Sequence, residues 1–179
     1  YNGMNVITPG QGPRLNAYRA FVNNDNWVYS NWIKNGLHNL KHKVLSYDRT
    51  DNADGSITLA FTIKSQAPNA ARHIGGTDMN SRGKYTSRIE ELTDQPFGEN
   101  DFLFTSRQFY TIHRDGSIEL QSAISSNNSK LILPRLGYQM QVPSQLYKFD
   151  YYGRGPVGNY NDRCTGSFVE CFTGTVSQQ

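Results

Sequence analysis

Two Asp-Gly pairs, each set between runs that alternate apolar and polar residues, constrain this chain more than any other feature. Asp54-Gly55 lies between residues 41–50 and 56–65, and Asp115-Gly116 lies between 106–114 and 117–125. Asp-Gly between strand-like runs signals a hairpin, because glycine takes the positive φ of a tight turn without steric cost. In the first hairpin Ile57, Leu59, Phe61 and Ile63 alternate without a break, which predicts that this face packs inward. In the second, Ile118, Leu120 and either Ala123 or Ile124 repeat the pattern. Successive runs of period two predict an all-β chain of antiparallel strands.

One segment breaks the alternation. Residues 27–33 read Trp-Val-Tyr-Ser-Asn-Trp-Ile, preceded by Asn24, Asp25 and Asn26 as caps and followed by Gly36 as a stop. This predicts a short helix over about 26–35 that buries Val28 and Trp32, with Leu37 beyond its end. Residues 4–22, interrupted by Pro9, Gly10, Gly12 and Pro13, are expected to give an opening strand and a loop. Residues 66–82 and 94–100 are polar and rich in turn formers, and are expected to be loops. No repeat or low-complexity linker divides the chain, so one domain over 1–179 is expected, a size that fits a β-rich unit with a sizeable core.

The net charge of +3 is spread along the sequence without a Lys/Arg run, which argues against a nucleic-acid partner despite a pI of about 8.9. No stretch is long and apolar enough to span a membrane, and the start lacks a signal-peptide pattern. The chain opens at Tyr1-Asn2-Gly3, in mid-element, so a piece of a longer soluble protein is expected, with cytoplasm and periplasm both open. Cys164 and Cys171 are seven residues apart. On one strand that separation sends them to opposite faces, so free, partly buried thiols are expected rather than a bridge.

Catalytic groups are hard to assemble from this sequence. A retaining glycosidase needs two carboxylates across one sugar. Glu90 and Glu91 are neighbours on an expected strand and face opposite sides, while Glu99 and Asp101 fall in a loop. His38 and His42 would share a face only on a helix, and the residues after Gly36 read as strand, so no metal site is expected. His73 and His113 stand alone in sequence.

The densest motif is the run from Tyr151 to Arg163: Tyr-Tyr-Gly-Arg-Gly-Pro-Val-Gly-Asn-Tyr-Asn-Asp-Arg. Gly153 and Gly155 permit positive φ and Pro156 fixes its own, which predicts a sharp strand end followed by a stiff loop. Arg154, Asn159, Tyr160, Asp162 and Arg163 are the candidate substrate-binding residues, because amide, carboxylate and guanidinium suit sugar hydroxyls. They suit loop backbone equally well, and Asp162 and Arg163 are the residues most expected to tie the loop down. Tyr151, Tyr152 and Tyr160 would form the accompanying aromatic platform.

This run resembles a segment in the last domain of bacterial glycoside hydrolase family 2 β-galactosidases. Leu133-Pro134-Arg135-Leu136-Gly137 is similar to the strand-opening element just upstream in that domain, and Arg19-Ala20-Phe21-Val22-Asn23-Asn24-Asp25 to an element near its start. Gly158 stands where the family usually has Glu. The resemblance implies an antiparallel β-sandwich of the galactose-mutarotase-like supersandwich type, of which this chain is the N-terminal part. It implies a non-catalytic domain flanking the barrel of an enzyme that hydrolyses terminal non-reducing β-D-galactose. It implies too that carboxylates and any divalent or monovalent cations belong to the barrel, with no cofactor in this chain. Expected partners are the rest of the parent enzyme, carbohydrate and further copies in a homo-oligomer. The alternatives are a stand-alone carbohydrate-binding sandwich and an aldose epimerase-like protein.

Overall fold

A computed structural model describes residues 3–78, 84–158 and 165–178. They fall into two compact units, one from Pro13–Gln139 and one from the described parts of Tyr1–Gly12 with Met140–Gln179. The fold is all-β and antiparallel throughout, with little helix.

The first unit is organised on four strands: β2 (Lys41–Asp51), β3 (Ile57–Gln66), β6 (Phe104–Ile112) and β7 (Ile118–Ser126). They pair in the order β2-β3-β6-β7, so both expected hairpins form and pack side by side. Their turns are built alike. Gly55 N–H bonds to Asn52 O and Gly116 N–H to His113 O, with φ +80° at Gly55 and +88° at Gly116. Asp54 and Asp115 each accept the backbone N–H and hydroxyl of the following Ser56 or Ser117. Those hydroxyl bonds hold both carboxyls below the usual carboxylate range.

Register explains the faces of this sheet. Val44, Tyr47, Leu59, Phe61, Ile63, Tyr110 and Leu120 share one side with Ser65, Phe104 and Ser106, whereas Thr58, Thr62, Lys64 and Arg107 share the other. Burial is complete only at one end, where Ser65, Phe104, Ser106 and Gln108 are at most 2% exposed. The expectation that Ile57 to Ile63 pack inward is therefore only half met: these side chains are half-buried. Towards the Asp-Gly turns Tyr47, Ile118 and Leu120 remain exposed.

The buried end meets a cluster of Leu15, Ala17, Val28, Trp32, Leu37, Phe102 and Phe104. The helix α1 spans Tyr29–Lys34, within the expected stretch, and Val28, Trp32 and Leu37 are buried as expected. Asn24, Asp25 and Asn26 do not cap it. Residues Asn23–Asp25 form a separate 3-10 turn, and no side chain caps α1. Gly36 ends it at φ +69°, with Ala67 packed against its Cα. β1 (Arg14–Asn16) pairs with β8 (Gly137–Gln139), bringing the 133–137 element beside the start of the unit.

The expected loops at 66–82 and 94–100 are corrected in large part. β4 (Asn69–Asp78) and β5 (Lys84–Pro96) form a long antiparallel ribbon. Its polar composition hides it from an apolar-periodicity test, because cross-strand polar pairs such as Arg72 with Glu90 sustain it. In the second unit β9 (Lys148–Gly155) pairs with β10 (Phe168–Thr175). No helix among the described residues is long and apolar enough to cross a membrane.

Gly36 combines a positive φ with crowding, so Gly36→Ala should lower unfolding stability by about 1–3 kcal/mol. Gly12 has no neighbour within 4 Å of an added Cβ. Gly12→Ala should change stability by less than about 1 kcal/mol. Urea titration of both variants measures the difference; equal midpoints would refute this account of the helix stop.

Candidate functional site

The run from Tyr151 to Arg163 is described only as far as Gly158. Asn159, Tyr160, Asp162 and Arg163 lie outside the described residues, as does Cys164. Arg154 sits near the end of β9, in register with Val169, and its Nη1 donates to the Ser167 carbonyl at 3.1 Å. One role of this guanidinium is thus to tie β9 to the start of β10. Gly153 and Gly155 are not among the glycines with positive φ; both belong to the extended strand. The bond from Gly155 to Pro156 is cis.

The reason for glycine at 155 is space. A Cβ there would meet the Tyr151 hydroxyl and stand 2.9 Å from the Phe172 ring. One at Gly174 would stand 3.1 Å from the Phe149 ring. Aromatic rings therefore lie down across glycine backbone on one face of the hairpin. Phe149 and Tyr151 are stacked at 6.2 Å between centroids, Tyr151 and Phe172 at 5.1 Å, and Phe168 follows Phe172 at 6.0 Å. Tyr152 does not join this row. It is the neighbour of Tyr151 on a strand and faces the other side, 77% exposed, so the expected joint platform of Tyr151 and Tyr152 is replaced by the row of Tyr151 with three phenylalanines. The even spacing of Phe168 and Phe172, with Gly174 beyond, is the sequence signal that identifies them as same-face residues. Cys171 lies in register with Tyr152 and is an exposed free thiol, not the partly buried one expected.

In the first unit, polar pairs gather where the ribbon meets the helix end. His38 Nε2 is 2.7 Å from Glu91 Oε1, which also accepts from Asn39 Nδ2 at 3.1 Å. Tyr18 packs edge-on against His38. Glu90, on the opposite side of β5, pairs with Arg72. The two neighbouring carboxylates thus serve different partners on different faces and cannot converge on one sugar. His73 is not a loop residue but a β4 residue, set edge-on to Phe21 and Tyr29 and bonded to Ser87 Oγ at 2.7 Å. His42 lies on β2 against Ser65 Oγ at 2.9 Å; burial, with Arg14 and Lys41 nearby, holds its pKa below the ordinary value. Among the described residues no three His, Cys, Asp or Glu side chains are grouped to hold a metal ion.

Comparison with known proteins gives a consistent result. All of residues 1–179 match the family model described as beta galactosidase small chain. A β-galactosidase of Psychromonas ingrahamii is 31% identical over 174 residues, covering 89% of this chain and 13% of that protein. One from Staphylococcus xylosus is 21% identical over 173 residues, covering 97% and 14% respectively. One from Priestia megaterium is 29% identical over 103 residues, 51% of this chain and 10% of that protein. The chain thus spans a small fraction of the length of the curated relatives it matches. No solved structure matches it.

The glycine-supported row has a direct consequence. Gly155→Ala should displace the rings of Tyr151 and Phe172 and destabilise the hairpin by about 1–3 kcal/mol. The expected readout is a loss of near-UV aromatic dichroism with the far-UV signal largely kept. An unchanged near-UV spectrum would show that the rings do not rest on this glycine.

Proposed function

The chain belongs to the beta galactosidase small chain family, and we propose that it is a non-catalytic β-sandwich part of a β-galactosidase acting on terminal non-reducing β-D-galactose. The whole-chain family match at 13–14% of the length of the first two relatives carries the reading. The divergent pairing of Glu90 and Glu91 supports it, because it leaves these neighbours unable to supply the two-carboxylate chemistry. Hydrolysis then belongs to another part of the parent enzyme, with this chain flanking the active site. Arg154, Asn159, Tyr160, Asp162 and Arg163 are the residues through which it contacts carbohydrate or braces the loop that does.

The four-stranded sheet supports a partner on the same enzyme. β2 and β7 are its edges, and their ends towards the Asp-Gly turns carry the exposed Tyr47, Ile118 and Leu120. An uncovered apolar face between open edges invites both strand addition and hydrophobic association. Further strands of the parent enzyme, or a second copy, are the occupants this reading assigns.

Two measurements test the proposal. The purified chain should release no nitrophenol from a nitrophenyl β-galactoside and should not accelerate interconversion of α- and β-galactose. Turnover abolished by Glu90→Gln or Glu91→Gln would overturn the non-catalytic reading, and mutarotation by the chain alone would favour an epimerase. Light scattering over a concentration series should show self-association of the isolated chain. A strictly monomeric species with a cooperative melt would mean that the sheet needs no further cover.

A further inference from the structure

Beyond its root, the ribbon of β4 and β5 is fastened to its unit by side chains. Among the described residues, β4 and β5 pair only with each other. No backbone hydrogen bond ties either strand to the helix or to the four-stranded sheet among those residues. None of their side chains belongs to the core cluster around Trp32. The root itself is firm: Phe97 N–H bonds to Pro68 O at 3.0 Å, and Gln66 Nε2 donates to the Gly98 carbonyl at 2.8 Å. A two-stranded ribbon with no ladder to its neighbours can lift about such a root without breaking a sheet.

The hold on the ribbon is light and largely polar. β4 lies against α1. Its Ala71 is buried, and its His73 meets the stacked rings of Phe21 and Tyr29 edge-on, at 5.2 and 4.8 Å. On β5, Glu91 engages the 3-10 turn Leu37–Asn39 just beyond Gly36. One carboxylate oxygen, Oε1, takes both His38 Nε2 at 2.7 Å and Asn39 Nδ2 at 3.1 Å. The other, Oε2, and His38 Nδ1 are buried with no hydrogen-bond partner among the described residues. A buried polar atom left unbonded carries a desolvation cost that ends when water reaches it. Lifting the ribbon returns both groups to water, which offsets part of the two bonds given up.

We propose that β4 and β5 form a hinged strap that leaves the helix end as one unit when the clasp of His38 and Asn39 on Glu91 opens. The residues at the dock suit such a device. An apolar dock gains with every methylene it buries, whereas this one offers an alanine, an imidazole and a carboxylate. Opening uncovers the side of α1 that β4 covers and the Phe21–Tyr29 pair that His73 meets. The four-stranded sheet and the core around Trp32 stay closed, because neither draws a residue from the strap. The Arg72–Glu90 pair joins β4 to β5 and travels with them.

Hydrogen-exchange mass spectrometry of the full chain tests this. Residues 69–75 and 87–96 should exchange together, and faster than β3 and β6. Glu91→Leu strips His38 and Asn39 of their acceptor. It should speed exchange of the strap by about tenfold or more and leave β3 and β6 as they were. Glu91→Gln still offers a carbonyl oxygen and should speed it less. Arg72→Ala removes an exposed pair within the strap and should shift its exchange by no more than about fivefold. Protection of β3 and β6 shows in the same measurement that each variant is folded. Strap and sheet exchanging at one rate in the unaltered chain would overturn the proposal. So would Arg72→Ala acting as strongly as Glu91→Leu, because the ribbon would then fray strand from strand instead of lifting. Equal loss of protection in the strap and in β3 and β6 on Glu91→Leu would overturn it too, since Glu91 would then hold the whole unit.

Discussion

The first unit depends on one buried tryptophan and what is fastened to it. Trp32, 2% exposed, sits in the core formed with Leu15, Val28 and Phe104. Its indole N–H donates to the Ile132 carbonyl at 2.8 Å, across 100 residues of sequence. Above its ring lies the Arg19 guanidinium, 5.5 Å from the centroid. Arg19 in turn holds Asp25 with both ends of its fork, at 2.6 and 3.0 Å, and Asp25 accepts the Val22 N–H at 2.8 Å. The Arg19 hydrogen bond holds the Asp25 carboxyl below the usual carboxylate range, so the pair stays charged through neutral pH. A bidentate guanidinium–carboxylate pair stacked on an indole fixes geometry as well as adding energy. Removing the ring would cost about 3–5 kcal/mol by burial alone and would free three segments at once.

That arrangement accounts for two of the three elements that resemble the β-galactosidase domain. The element at 19–25 supplies the arginine and the aspartate. The one at 133–137 begins next to the Ile132 carbonyl that receives the indole, and ends at Gly137, which pairs with Asn16. Both are framework features. Their observed contacts close the chain around the helix end.

Sequence patterning was informative where one side of an element is dry. The Asp-Gly hairpins and the helix around Trp32 were legible because turn chemistry and apolar spacing agree there. Asp25 has the chemistry of a helix cap, and nothing local announces that Arg19 claims its carboxylate instead. The ribbon of β4 and β5 is not legible in apolar patterning, because its pairing rests on polar cross-strand contacts to which period-two hydrophobicity is blind. Ile57 to Ile63 are only half-buried for a related reason. Alternation reports which side of a strand is apolar, and it cannot report whether anything covers that side. Of the candidate site, Arg154 is placed at a strand end, while the aromatic partners of Tyr151 lie on a strand that the motif does not reach.

The hairpin of β9 and β10 shows how an aromatic row can hold a small sheet. A two-stranded hairpin is marginal by itself, so its own face must contribute to holding it. Rings over Gly155 and Gly174 do so by filling the space that absent side chains leave. Truncating Tyr151 or Phe172 would therefore loosen the row and the hairpin together.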